Sequence, residues 1–493
     1  TLMVESVMHQ SCKVMGGAQL SGVLMFPHAS VAAQAKVTEC VLGPDSGVSV
    51  GECKNSLLGP MVGFHHQALL ISACWTMGRG NLGYGSMIGA NHTGRSNDQE
   101  CFPGEGCFYG LGSSVLYPFC MMQAPYSVIS AGVSCSPQKI SFPFSLVADP
   151  LAPYPPALGE QQPLSPSLST LKPGWVLISN PYFLERSMAK YTRRRRSVEY
   201  RTDLPIFRPT IADMVADARN RLLTAKDQQM IQHGRLLNAG QLTGTYLTER
   251  HVVGTGNAVM QGGDVDAAIE AYTQFIHRYA LHGLVYMMAL AGELPINLAV
   301  QASGGDISSP SAAIDGIMGD VRSMQAGLPS LGDHLHQLVT GSAGPPASSS
   351  AKVSASITSA AEPAASEISS PGARLLLGAG SASTCCLLTD THNPAVRAHQ
   401  LKVLSEEFPD VDFLAYIQAR ARGTLSNYDP KVKQLLQYLS ELEQAYSEKV
   451  RLCKQKDTDR AMVIIPEFNE PSMEDEAVAT ARNRSGEIAR VIQ

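Results

Sequence analysis

The sequence is poor in the features that place a protein quickly. Only 16% of its 493 residues are charged and the formal net charge is −5, so no general attraction to nucleic acid or an anionic membrane is implied. No apolar run is long enough to cross a bilayer, and no membrane span is expected. The 11 cysteines, eight of them before residue 136, include no Cys-x-x-Cys pair. An odd count in a long chain argues against a secreted disulfide framework. Most of these thiols are expected as small buried apolar residues in a reducing, cytoplasmic compartment. No signal peptide is legible. The chain begins at Thr1 rather than Met, so part of its N-terminus is expected to be missing.

What the sequence does have is a rhythm. Leu58, Phe64, Leu70, Thr76, Leu82 and Ile88 fall at every sixth position, in surroundings rich in Gly, Asn and Ser. This is the pattern of a parallel β-helix of hexapeptide repeats, in which one inward residue per short strand fills a narrow core. Val31 and Val37 keep the same step, as do Leu42 and Val48. The register slips near Gly51, which predicts a bulge or loop at a corner. It breaks again after Ile88, where residues 92–107 read as a loop thrown out from one corner.

The chain divides into five parts. Residues 19–148 form the repeat region, closed by alternating strands around Ile140 to Val147 with Pro143 at an edge. Residues 149–205, dense in Pro, Leu and Ser, read as an extended linker with an aromatic anchor at Trp175. Residues 206–299 are helical: Thr210 and Asp213 resemble a capping box, followed by the stripe Ile211, Met214, Val215, Ala218 and Leu222. A second helix starts near Asp264 and carries Ala268, Tyr272, Phe275, Ile276 and Tyr279 on one face. Residues 300–390, crowded with Ser, Ala, Gly and Pro, are expected to be a disordered insertion. Residues 391–493 are helical again. One helix there has Asp429 at its cap, Pro430 in its first turn and the stripe Val432, Leu435, Leu436, Leu439, Leu442 and Tyr446. An acidic segment after Pro466 reads as a docking tail.

The chemistry is expected where the rhythm ends, in Asn91-His92-Thr93-Gly94-Arg95-Ser96-Asn97-Asp98-Gln99-Glu100. His65, His66 and His92 stand in or beside the repeats. Counted in register, His66 and His92 point outward near corners, so His66 of one chain can approach His92 of another. An imidazole oriented by a carboxylate is a general base near neutral pH. His92 or His66 fits that role, with Asp98 or Glu100 as the orienting carboxylate. Asn91, Arg95, His65 and Glu105 are candidate substrate-binding residues, Arg95 for an anionic group. The same histidines permit a zinc site of the carbonic-anhydrase-like β-helix type, but the His-x-x-x-x-His spacing for it is absent, and no metal ligand is assigned. A third reading has the histidines bonding along a subunit interface of a non-enzymatic scaffold. The Arg193 to Arg196 run reads either as a solvated edge or as a clamp for phosphate or carboxylate. Gly254-Thr255-Gly256-Asn257 is a weak phosphate-binding signal, since it lacks the Lys-Ser/Thr ending of a P-loop.

Several motifs carry a family resemblance: Gly63-Phe64-His65-His66-Gln67, Gly80-Asn81-Leu82-Gly83-Tyr84-Gly85, Asn91-His92-Thr93-Gly94-Arg95, Asp98-Gln99-Glu100, Pro103-Gly104-Glu105-Gly106 and Phe142-Pro143-Phe144-Ser145-Leu146. With them the chain resembles an uncharacterised family, a domain of unknown function, of hexapeptide-repeat proteins with a helical C-terminal domain. Pro173-Gly174-Trp175-Val176, Phe207-Arg208-Pro209 and Tyr279-Ala280-Leu281-His282-Gly283-Leu284 extend the resemblance. It departs at Cys101 and in the 300–390 insertion. The broader superfamily is the trimeric LpxA-like left-handed β-helix. That resemblance implies a homotrimer and a transferase, acting on a small-molecule substrate in an inter-subunit cleft. Acyl-CoA or a sugar nucleotide is the expected co-substrate, and His92 or His66 matches the cleft histidine.

Overall fold

The computed structural model describes residues 1–90, 100–149, 169–200, 202, 204–232, 246–290, 394–421, 429–464 and 475–492. The expected insertion at 300–390 lies outside them.

Residues 2–148 form a parallel β-helix with three faces. The first face is an eight-stranded parallel sheet from Leu2–Val4 to Ser134–Cys135. The second runs from Val7–Met8 to Cys74–Trp75 and continues, through a parallel bridge between Ala73 and Cys101, from Cys101–Phe102 to Gln138–Lys139. The third runs from Lys13–Val14 to Leu146–Ala148. The ladder thus starts ahead of residue 19, at Leu2, which pairs with Gln19.

Each strand is two to four residues long and points one side chain into the prism. Leu42, Val48, Cys53, Leu58, Phe64, Leu70, Leu82 and Ile88 are all buried there. The slip near Gly51 is where Cys53 takes the inward place one step early. Thr76 is not inward. It is exposed, and Trp75 fills the position instead. The corner Thr76–Gly80 takes up the extra residue. Trp75 donates from Nε1 to the Gly104 carbonyl at 2.8 Å. A Cβ at Gly80 would stand 1.9 Å from its ring, so only glycine fits there.

The corners turn through left-handed backbone, in register: Glu39, Asn55 and Ser72 at one corner, His28, Asp45, Met61 and Arg79 at the next, His66 and Gln67 at the third. Such residues cost about 1 kcal/mol each, and the hydrogen bonds between successive coils hold them. Residues 101–107, expected in a loop, belong to the prism: Cys101 and Cys107 are buried in its core. The outward column of the second face is apolar through most of its length. Val7, Leu24, Val41, Leu57 and Cys74 pair in sequence, and Phe102 pairs with Cys120 before Lys139 ends the column. Val7, Leu24 and Leu57 remain exposed.

The segment expected as a linker is structured at its end. Thr170–Lys172 pairs antiparallel with Leu146–Ala148 and closes the third face. Helices α1 (Trp175–Ser179) and α2 (Pro181–Arg194) follow. Asn180 caps α2, its side chain accepting from the Phe183 amide at 3.3 Å, with Pro181 at the first position. Among the described residues the remaining helices are α3 (Pro209–Gln232), α4 (Gly263–Leu290), α5 (Pro394–Glu407), α6 (Phe413–Ala421), α7 (Pro430–Ile464) and α8 (Glu476–Ile492). The stripes on α3, α4 and α7 are buried as expected, apart from Met214 and Leu435, which are only partly covered. Asp213 does not close a capping box. Its carboxylate pairs with His399 Nε2 of α5 at 2.9 Å. The C-terminal α8 packs on α7 and α2, its Arg484 reaching Glu185 at 2.6 Å.

Candidate functional site

Of the expected site residues, Asn91, His92, Arg95 and Asp98 lie outside the described residues. His65 and His66 follow the strand Gly63–Phe64 at the corner between the third and first faces. Left-handed backbone at His66 turns the chain there. The two rings meet edge to face with centroids 4.4 Å apart. His66 is exposed, and its carbonyl accepts from the Gly85 amide at 3.1 Å. His65 is half-buried. Glu100 is exposed at the start of the strand Cys101–Phe102, where its charge acts on the Cys74 thiol. Within one chain it therefore stands at a different corner from His66.

Glu105 is buried at the corner between the second and third faces and is held by three protein donors. Arg79 Nη1 lies 3.2 Å from Oε1, Tyr126 donates to Oε1 at 2.6 Å, and Arg208 Nη2 donates to Oε2. Arg79, 1% exposed, donates to the Leu204 carbonyl and lies over the rings of Tyr191 and Tyr126. Glu105 thus clasps the segment after α2 to the prism. That segment also runs along earlier coils: the amides of Arg196 and Ser197 both donate to the Asp45 carboxylate at 3.1 Å, and Tyr200 stacks edge-on against Phe26. The 193–196 run is therefore tied down by its backbone, while Arg193 makes an exposed ion pair with Glu476 at 3.3 Å.

Sequence reasoning missed the helical charges that act on His65, those of Lys190 and Arg194. Arg186, Lys190 and Arg194 stand four residues apart along α2, on one ridge of the helix. The spacing and the Asn180–Pro181 cap were legible signals for it. Burial pushes the His65 imidazole below its usual value, helped by His66, Lys190 and Arg194. Burial also pushes Lys190 down to about 8, reinforced by Arg194 and Arg186. Every charge acting on these two groups is of their own sign. Among the described residues no carboxylate pairs with Arg186, Lys190 or Arg194. The arrangement can receive an anion beside two imidazoles.

The glycine turn at 254–257 is filled by the chain itself: the Glu249 carboxylate accepts from the Gly254 and Gly256 amides at 2.6–3.0 Å. Among the described residues no group of three His, Cys, Asp or Glu side chains is placed to hold a metal ion, and no helix is long and apolar enough to cross a membrane.

No family model matches the chain. It is similar to an uncharacterized protein of Treponema pallidum (strain Nichols), with 27% identity over 191 residues, or 38% of this chain. The match spans 24% of that protein's length.

Proposed function

We propose that this chain is a hexapeptide-repeat transferase of the trimeric LpxA-like, left-handed β-helix kind. It acts on a sugar or sugar nucleotide, with acyl transfer favoured, in clefts between three subunits. The observation that carries this reading is the exposed His66 imidazole, edge to face with His65 at a corner of a three-faced parallel β-helix. His66 or His92 serves as general base. Asp98 or Glu100 of a neighbouring subunit orients the imidazole, and Asn91, Arg95 and His65 hold the substrate. Glu105 belongs to the strap clasp rather than to the cleft. The exposed apolar column of the second face supports self-association, since aliphatic ladders of this extent mark interaction surfaces.

The test is thermal stabilisation of the purified protein by sugar nucleotides and acyl-CoA compounds, followed by turnover assays with the hits. A ligand at about 100 times its Kd adds roughly 2.7 kcal/mol. Stabilisation by one of these classes, with turnover lost in both His66→Ala and His92→Ala while the trimer persists, supports the transferase. A trimer that no compound stabilises sinks it and favours the second reading, a trimeric scaffold built on the same apolar column.

A further inference from the structure

We infer that Cys40 and Cys53 of the β-helix are a dithiol–disulfide pair, a modification site at which a hydroperoxide joins two successive coils covalently. The inference stands apart from the transferase reading, and its test needs no turnover.

The two sulfurs already touch. Cys40 Sγ lies 3.7 Å from Cys53 Sγ, and both residues are buried in the prism core, 3% and 0% exposed. Their meeting follows from the ladder. Cys53 is the inward residue of the strand Glu52–Lys54 and pairs with Val37 of the preceding coil. Cys40 comes three residues after Val37, just past the left-handed corner at Glu39. The two cysteines therefore stand on successive coils against one corner. The coil between them is the shortest on the first face. Its step from Lys36 to Glu52 has one residue fewer than the steps from Gln19 to Lys36 and from Glu52 to Leu69. A bond across the 13-residue separation closes most of that coil into a ring. A disulfide needs sulfurs about 2 Å apart, so the remaining approach is short.

The pair also divides the chemical roles. Burial pushes the Cys101, Cys107 and Cys135 thiols up. At Cys40 the hydrogen bond from the Cys53 thiol outweighs burial and holds the group below its usual value, while Cys53 is pushed up. Cys40 thus supplies the thiolate, which is the reactive form. It attacks one oxygen of the hydroperoxide and the O–O bond breaks. That oxygen stays on Cys40 as a sulfenic acid, and the other leaves as water or an alcohol, carrying the thiol proton. The Cys53 sulfur then displaces the sulfenic oxygen, which leaves as water with the Cys53 proton. Two thiols have lost two hydrogens and two electrons, and the hydroperoxide has taken up both.

The experiment treats the reduced full chain with dilute hydrogen peroxide, then alkylates it in denaturant without reductant. Trypsin releases Val37–Lys54, which holds both cysteines and no others. The expected product is this peptide two hydrogens lighter and free of alkylation, restored to two alkylated thiols by prior dithiothreitol. It should form at least tenfold faster than any oxidation of Cys101, Cys107 or Cys135. In Cys53→Ala the sulfenic acid has no partner, and dimedone should label Cys40. The unmodified chain carries the main readout, so the test survives poor folding of that variant. A bond that forms only after unfolding overturns the pair. So does oxidation of Cys40 to the sulfinic acid with Cys53 still free, or a rate no greater than that of the other buried thiols.

Discussion

The β-helix and the helical region solve the same problem with opposite materials. The prism interior is built from one apolar side chain per strand, and among the described residues its one buried ion cluster, Arg79–Glu105–Arg208, sits at a corner where the strap docks. The helical region is keyed by charge. Glu443, 0% exposed, receives Arg278 at 2.7 Å, His282 at 3.0 Å and Arg484 at 3.4 Å, which join α4, α7 and α8. Arg219 forks onto Glu407 at 2.7 and 2.8 Å, and His277 bridges Glu407 to the Tyr438 hydroxyl. A hydrogen-bonded ladder fixes its own register, so its core needs only bulk. Helices have no such ladder between them, and directional ion pairs select one packing among several.

The largest expected effect is at Glu443. Glu443→Ala leaves Arg278 buried without a counter-charge and Arg484 with Glu185 alone, a loss of about 3–5 kcal/mol. The helical signal in circular dichroism should melt early while Trp75 fluorescence, read in a Trp175→Phe background, holds. Leu70→Ala is the converse, costing about 2–5 kcal/mol through a cavity in the prism, and should move the Trp75 transition first. Both variants shifting both probes equally would show one cooperative unit and end the comparison.

Acid should separate the two regions next. Burial opposes ionisation of Glu407, but Arg219 and His277 outweigh it and hold the carboxyl down to about 2. Its folded value lies below the unfolded one near 4.5, so its stabilisation is present above that value and is lost as pH falls toward about 2. Burial holds His282 below its usual 6.5, against the pull of Glu443, so the fold also loses stability as pH drops below 6.5. The helical signal should therefore decline on acidification before Trp75 responds. A first loss at Trp75 would contradict the assignment of charges to the helical side.

Thiol chemistry sharpens the other side. Burial raises Cys107 and Cys135 to about 12, and Cys101 higher still. At pH 8 all three should resist iodoacetamide in the native protein and react on unfolding, as read by peptide mass spectrometry. The smallest effect is expected at the Arg193–Glu476 pair, both partners more than half exposed. Arg193→Ala should change stability by less than about 1 kcal/mol in a denaturant titration.

Much of this was legible in the sequence for a physical reason. Leu58, Phe64, Leu70, Leu82 and Ile88 announce the prism because each flat strand admits one inward residue at a near-constant step. Thr76 misleads because corners stretch, and the step count does not distinguish a longer corner from a longer strand. Helix α2 was hidden by the Pro and Ser of its approach, although Asn180–Pro181 signals a helix start. Glu105 was read as a substrate-binding residue because nothing local reveals that Arg208, far along the chain, returns to bury it. His65 and His66 were found by residue type. Their partners on α2 were not, since nothing local in the sequence places that helix over the third face.

The way α2 lies along the prism makes it a measuring rod. Phe183, near its start, meets Phe108 edge to face, and Phe108 pairs with Asn81, which pairs with Gly63, two residues before His65. Those two strand steps span about 10 Å at roughly 4.8 Å each. From Phe183 to Lys190 the helix climbs about 10.5 Å at 1.5 Å per residue. The two lengths agree, and Lys190 ends close enough for its charge to act on His65. Gain or loss of a single coil between the antiparallel cap and His65 would slide one scale against the other, a frameshift in space rather than in sequence. Solenoids usually tolerate changes in turn number, but in this stretch the count is fixed by the helix beside it.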